Sequence, residues 1–357
     1  MTKVHNYSAG PCILPQEVLK KASEAVINFN DLNLSLLEIS HRSKDFVAVM
    51  ENARSLVKEL LEVPEGYQVL FLQGGASLGF LIAAYNFLPQ GGKAAYINTG
   101  TWATKSIKEA QRLGDIHIVA SSEDKNFSYI PSGYGIPNDA AYLHFTSNNT
   151  ISGTQFKNTP ISRIPLICDM SSDIFSKKIN VADYDLIYAG AQKNMGPAGT
   201  TLYIVKESAL GKSGNDIPAM LDLQTHIKKD SMFNTPPVYP VYVSMLNLEW
   251  LKKNGGVSWI ENINKQKAAL LYNEIDRNSL FKGLTATADR SNMNVTFVLN
   301  NEDLTEAFNE AWTSANISGI KGHRSVGGYR ASIYNALPLE SVQVLVDVMQ
   351  EFEKANG

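Results

Sequence analysis

Two stretches near the start of the chain place their apolar residues on one side of a helix. They are residues 15–28 and residues 44–63. In the second, Phe46, Val49, Met50, Leu56, Val57, Leu60 and Leu61 recur at spacings of three and four, the period of an amphipathic helix. From there to about 205, short apolar runs alternate with helical stretches. The spacing predicts strands at Val69–Leu72, Ala94–Asn98, Ile116–Ala120, Tyr142–Phe145, Pro165–Asp169, Leu186–Gly190 and Thr200–Val205. Such alternation predicts an α/β fold, a mostly parallel seven-stranded sheet between helices. Ligands of such sheets sit beyond the carboxyl ends of the strands.

After about 240 the pattern changes. Two long helical patterns, Tyr242–Lys253 and Val257–Asn278, precede a strand at Val295–Leu299, a helix near Leu304–Ala315, a strand near Arg330–Tyr334 and a final helix, Leu339–Glu353. Fewer strands and longer helices predict a smaller C-terminal α+β domain. We expect a large domain over 15–250 and a small one over 251–357, with residues 1–14 packing on the latter.

Composition narrows the reading. The chain has 357 residues, of which 44% are hydrophobic, enough for a sizeable core and too many for a disordered chain. Its 32 basic and 35 acidic residues leave a net charge of -3, so no global field recruits nucleic acid or an anionic membrane. An anionic ligand must be caught locally. Cys12 and Cys168 are the only cysteines, too few for a disulfide framework or a zinc module. Together with a start that lacks an apolar run after basic residues, this leads us to expect a cytoplasmic protein. No charge falls between Glu65 and Lys93. That length would allow a membrane span, but Gln73-Gly74-Gly75 breaks it and Pro89-Gln90-Gly91-Gly92 ends it. Strand, glycine turn and buried helix account for it better.

Lys193 lies in Ala191-Gln192-Lys193-Asn194-Met195-Gly196-Pro197, after the Leu186–Gly190 strand. A lone loop lysine is commonly solvent-facing. Here the small neighbours let a ring come close, and a partly buried lysine has the lowered pKa that a Schiff-base nucleophile needs. Asp169 ends another apolar strand and precedes Lys193 by one crossover and one further strand. A strand-end aspartate can simply cap a turn; it can also hold a protonated ring nitrogen from the same crevice. Together the two match what pyridoxal phosphate requires: a lysine for the aldehyde and an acid that keeps the pyridinium charged.

Three further elements could serve such a ligand. Gln73-Gly74-Gly75-Ala76-Ser77 forms a glycine turn into a helix whose amides suit a phosphate; it is neither a P-loop nor a dinucleotide fingerprint. Trp102, in Asn98-Thr99-Gly100-Thr101-Trp102, sits at a strand-to-helix corner, where it is either core or a stacking surface. Of eight arginines and six histidines, three and two fall in Ser40-His41-Arg42-Ser43 and Gly322-His323-Arg324 through Arg330. Arginines are usually solvated, but these pairs among glycine and serine make forks for carboxylate or phosphate.

With these motifs in order, the chain resembles the phosphoserine aminotransferases, pyridoxal-phosphate enzymes of fold type I within the class-V aminotransferases. The resemblance runs from Tyr7-Ser8-Ala9-Gly10-Pro11 to Arg330-Ala331-Ser332-Ile333-Tyr334-Asn335-Ala336 and includes Asn234-Thr235-Pro236-Pro237. It implies that Lys193 binds the cofactor aldehyde, that Asp169 pairs with the ring nitrogen and that Trp102 stacks on the ring. Thr150 would bond near the ring oxygen, and Ala76, Ser77 and Gln192 would hold the phosphate. Asn234 and Thr235 would reach that phosphate from a partner subunit, which implies a homodimer. Arg42 and His41, also from the partner, would hold the substrate's side-chain anion with His323 and Arg324, and Arg330 would clamp the α-carboxylate. Some members carry arginine where this chain has Ser77, so phosphate binding here would rest more on backbone amides and the hydroxyl. The implied reaction moves the amino group of L-glutamate to 3-phosphohydroxypyruvate in serine biosynthesis; the resemblance also implies a second role, toward 4-phosphohydroxy-L-threonine in vitamin B6 biosynthesis. A glyoxylate or pyruvate aminotransferase would share Lys193 and Asp169 without needing the cationic cluster. A nicotinamide dehydrogenase and a non-catalytic binding module are the readings from other classes.

Overall fold

A computed structural model describes residues 3–357. In chain order it runs β1 (His5–Asn6), α1 (Gln16–Ile27), α2 (Lys44–Leu60), β2 (Tyr67–Leu72), α3 (Gly75–Phe87), β3 (Lys93–Asn98), α4 (Thr101–Ala110) and β4 (Asp115–Ser121). Next come β5 (Leu143–Thr146), a short hairpin of β6 (Asn148–Asn149) and β7 (Thr154–Gln155), β8 (Leu166–Asp169), β9 (Leu186–Gly190) and β10 (Thr201–Lys206). Helices α5 (Leu223–Ile227), α6 (Val238–Lys253) and α7 (Gly256–Arg277) lead to β11 (Phe281–Gly283), β12 (Asn294–Leu299), α8 (Thr305–Ser314), β13 (Ile317–Ser318), β14 (Tyr329–Ser332) and α9 (Leu339–Asn356).

The seven strands predicted from the apolar runs are the seven of the main sheet, each within two residues of its expected ends, in the order β2-β10-β9-β8-β5-β3-β4. Pairings β3–β4, β3–β5, β5–β8 and β8–β9 are parallel, and β10 runs antiparallel between β9 and β2. Alternation along each strand divides the side chains between two cores. On β8, Leu166 and Cys168 pack into the core under α1, α2 and α6, while Ile167 packs into the core beneath α3 and α4. The same alternation assigns Asp169, at the carboxyl end, to the face of Ile167.

Local chemistry explains the helices. Ser43 caps α2 by accepting from the amide of Phe46, and the buried face is the predicted one. Helix α3 carries no charge and is apolar nearly all round, as suits a helix packed on the sheet. Its start requires glycine: Gly74 has φ +100°, and a Cβ there would lie 2.5 Å from Leu78. Helix α6 begins four residues earlier than its apolar pattern predicts. Pro237 and Pro240 fall at its cap and first turn, where a missing N–H costs nothing.

A second core gathers the antiparallel sheet β11-β12-β14, α8, α9 and the C-terminal half of α7. At its centre Phe308 packs edge-on against Phe281, centroids 4.9 Å apart, and tilted against Phe352 at 5.1 Å. The first half of α7 contributes Val257 and Ile260 to the large core, and Ala268 onward belongs to the second. Strand β1 pairs with β13, and Tyr7 is buried in the second core. Among the described residues, no helix is long and apolar enough to cross a membrane.

Helix α3 lies close against the sheet at Gly79, where an added Cβ would come within 2.7 Å of the Tyr188 ring. Gly79→Val should therefore destabilise the fold by about 1–3 kcal/mol, read as a lower denaturant midpoint. An unchanged midpoint would show that the helix does not need this contact.

Candidate active site

The sheet delivers its chemistry to one place. A cavity of about 340 Å³ opens at the carboxyl ends of the parallel strands, and its wall includes Ala76, Ser77, Trp102, Thr150, Asp169, Gln192, Lys193, His323 and Arg330. Asp169 ends β8, Lys193 follows β9, Trp102 begins α4 after β3, and Ala76 and Ser77 begin α3 after β2.

Lys193 and Asp169 face this cavity together without forming an ion pair. The Lys193 amine has no hydrogen-bond partner among the described residues, and Trp102's ring centre lies 5.9 Å from it. Burial pulls its pKa below the ordinary lysine value of 10.5; Asp169 opposes that shift, and Arg330 adds to it. Asp169 is fully enclosed, and burial pushes its carboxyl up. Ser171 pulls it back by donating its hydroxyl (2.6 Å) and its amide (3.0 Å) to Oδ1. Oδ2 accepts from no group among the described residues. A buried carboxylate with one oxygen unfilled calls for a cationic or N–H partner in the cavity.

The remaining walls are oriented by local bonds. Trp102 Nε1 donates to Thr150 Oγ1 at 3.2 Å. Arg330 Nη1 donates to the Thr150 carbonyl at 3.0 Å, and its buried Nε has no partner among the described residues, a donor left for a ligand. Burial lowers the His323 pKa first, and then Arg330, Arg324 and Lys105, so positive charge gathers at this rim. The first amides of α3 lie beside Ala76 and Ser77 with no side-chain cap, free for an anion.

Five residues of the expected set do not line this cavity. Arg324 is exposed on the loop above it. His41 and Arg42 lie in the turns before α2, and Asn234 and Thr235 lie in the loop before α6; Thr235's carbonyl accepts from Gln73 Nε2 at 2.8 Å. His41 Nε2 and Asn234 Oδ1 are buried without partners among the described residues. The sequence reading missed Thr146, Asn148, Ser171, Ser172 and Gly10, all in the cavity wall. Ser171 was within reach of pattern alone, because an aspartate followed two residues later by a free amide is an Asx turn. Asn148 sits on a polar two-residue strand that leaves no apolar signal.

Comparison with known proteins identifies the family and the fold. The aminotransferase class-V family model matches residues 4–345. The phosphoserine aminotransferase of Flavobacterium psychrophilum is 64% identical over 352 residues, 98% of this chain and 99% of that protein. Among solved structures, the phosphoserine aminotransferase from Bacillus circulans subsp. alkalophilus superposes with a TM-score of 0.96 at 43% identity, over 99% of each chain. The PLP-bound phosphoserine aminotransferase from Trichomonas vaginalis gives 0.92 at 33% identity, over 98% of this chain and 100% of that one. Fold and site thus define a class-V aminotransferase architecture. Within it, the chain belongs to the phosphoserine aminotransferase family, which removes the dehydrogenase reading.

Because its pKa is lowered, the Lys193 amine should capture an added aromatic aldehyde at lower pH than a free lysine does. The rate in cofactor-free protein should rise with pH and level off below 10.5. A midpoint at or above that value, followed by absorbance, would show that burial does not act on this amine.

Proposed function

We propose that the chain transfers the amino group of L-glutamate to 3-phosphohydroxypyruvate, giving O-phospho-L-serine and 2-oxoglutarate, with pyridoxal 5'-phosphate as cofactor. The observation that carries this is the pairing of an unpartnered lysine amine with a half-filled aspartate across one cavity. The cavity fits the cofactor. Asp169 Oδ2 is free for the ring nitrogen, the amides of α3 are free for the phosphate, and Trp102 offers a face. When bound, the cofactor draws electrons from the substrate's Cα.

The protein's own groups do the rest. Lys193 Nζ takes the Cα proton and later returns one, acting as base and then acid. Its lowered pKa favours the first role. Asp169 keeps positive charge on the ring nitrogen, because a neutral partner would leave the buried carboxylate uncompensated. Thr150, Gln192 and Ser77 orient the cofactor, and Arg330 fixes the α-carboxylate so that the Cα–H bond points at Lys193. A pocket that serves both glutamate and a phosphorylated keto acid must accept one and two negative charges in turn. His323, Arg324, His41 and Arg42 are the cations for that end.

The last two require a partner subunit, and the reading includes a homodimer with shared sites, Asn234 and Thr235 crossing in the same way. In support, Leu34 and Leu37 are exposed just before His41 and Arg42, and Phe233 is exposed beside Asn234. Exposed apolar residues beside unpaired polar atoms are what a covered interface looks like when one subunit is seen alone. The division into 15–250 and 251–357 also belongs to this reading; the two cores support two units, and they change over between Ile260 and Ala268 on α7, after the expected boundary. A cytoplasmic setting is supported by two free cysteines.

A coupled assay with glutamate and 3-phosphohydroxypyruvate, set against unphosphorylated keto acids, tests the assignment; preference for pyruvate or glyoxylate would contradict it. Lys193→Ala should lower turnover by at least about a thousandfold, and retained activity would remove it as the base. Arg42→Ala should raise KM for the phosphorylated substrate about tenfold or more, as a lost charged hydrogen bond of about 1.5–3 kcal/mol implies, with the cofactor's absorbance unmoved. Mixing the two variants under exchange should restore activity, since one site of each hybrid dimer is then intact. No recovery in exchanged hybrids would place Arg42 in its own subunit's site.

A further inference from the structure

Asn294 lies on β12, outside the cavity, and is completely buried. Its amide nitrogen donates to Ser332 Oγ at 3.0 Å and to the Tyr334 hydroxyl at 3.1 Å. Its Oδ1 accepts from Asn148 Nδ2 at 2.8 Å, and its backbone amide donates to Ser291 Oγ at 3.0 Å. The bonds continue outward. Asn148 Nδ2 gives its second proton to Ser172 Oγ at 2.8 Å, Ser291 Oγ donates to Asn148 Oδ1, and the Tyr334 hydroxyl donates to the Ala9 carbonyl at 2.9 Å. Asn148, Ser172 and Ala9 are all cavity walls. Strand β14, which carries Ser332, also carries Arg330, paired in register with Thr296 on β12.

One uncharged side chain thus ties the strand bearing the arginine to the floor bearing Asn148 and Ser172, and through Tyr334 to the N-terminal wall. Both amide protons and the carbonyl oxygen of Asn294 are used. A buried network filled in this way holds one geometry, because any shift strands a polar atom away from water. A hydrophobic contact of equal area would tolerate sliding.

We propose that Asn294 is a positioning residue, with Tyr334 as its relay, that sets where Arg330 meets the substrate's α-carboxylate relative to Lys193 and Asp169. This rests on the reading of Arg330 as the carboxylate clamp. Asn294 touches neither substrate nor cofactor; it acts through the register of β14.

The test measures binding of glutarate, an unreactive dicarboxylate, to the cofactor-loaded protein by calorimetry, beside KM for glutamate and the thermal midpoint. Asn294→Ala should weaken glutarate and raise KM by roughly five- to tenfold, with the visible absorbance of bound cofactor unmoved. Tyr334→Phe should act in the same direction by roughly two- to fivefold, and it serves if Asn294→Ala does not fold. Asn294→Ser, which keeps a polar group, should recover part of the loss. A lowered thermal midpoint with unchanged glutarate affinity in the folded variants would make Asn294 merely structural and overturn the proposal. Arg330→Lys is the control: if it binds glutarate as the unaltered protein does, Arg330 is not the clamp, and that reading fails first.

Discussion

The structure depends on keeping two opposite charges in one cavity and apart. Lys193 and Asp169 each lose hydration on burial, and burial moves each pKa toward the neutral form. Direct contact would relieve both and leave a closed ion pair with no chemistry to offer. Instead Ser171 supports one oxygen of Asp169 from behind, the lysine amine has no partner among the described residues, and the space between them is left to a ligand that can meet both demands.

The parallel sheet makes that separation possible. Neighbouring β8 and β9 end at the same edge, so residues at and just beyond their carboxyl ends stand a strand spacing or more apart while facing one crevice. The buried network around Asn294 then brings in the second core. It joins β14 to the cavity floor, so that Arg330 and Lys193 are fixed in one frame although they stand on elements of different cores.

Much of this was legible in the amino-acid pattern. Apolar runs marked all seven strands: six are covered on both faces and write nearly continuous hydrophobic segments, and the half-exposed edge strand β4 still carries Ile116, Ile118 and Val119. Lys193 and Asp169 stood out because small or apolar neighbours surround a charge. The β6–β7 hairpin, Asn148 and Asn294 did not, since polar residues buried by mutual hydrogen bonds look like surface residues in a sequence. The early start of α6 was hidden by prolines that usually end helices but are harmless in a first turn. Asn234 and Thr235 were recognisable only through the family resemblance, whereas His41 and Arg42 stood out as a cationic pair among serines; a single chain brings none of the four to the cavity.

The most direct measurement is chemical. The protein loaded with pyridoxal phosphate is reduced with borohydride, digested, and the modified peptide identified by mass spectrometry. The account predicts loss of the visible band and one cofactor-derived mass on the peptide containing Lys193, absent when Asp169 and Lys193 are both replaced by alanine. A label on a different lysine, or none, would contradict it.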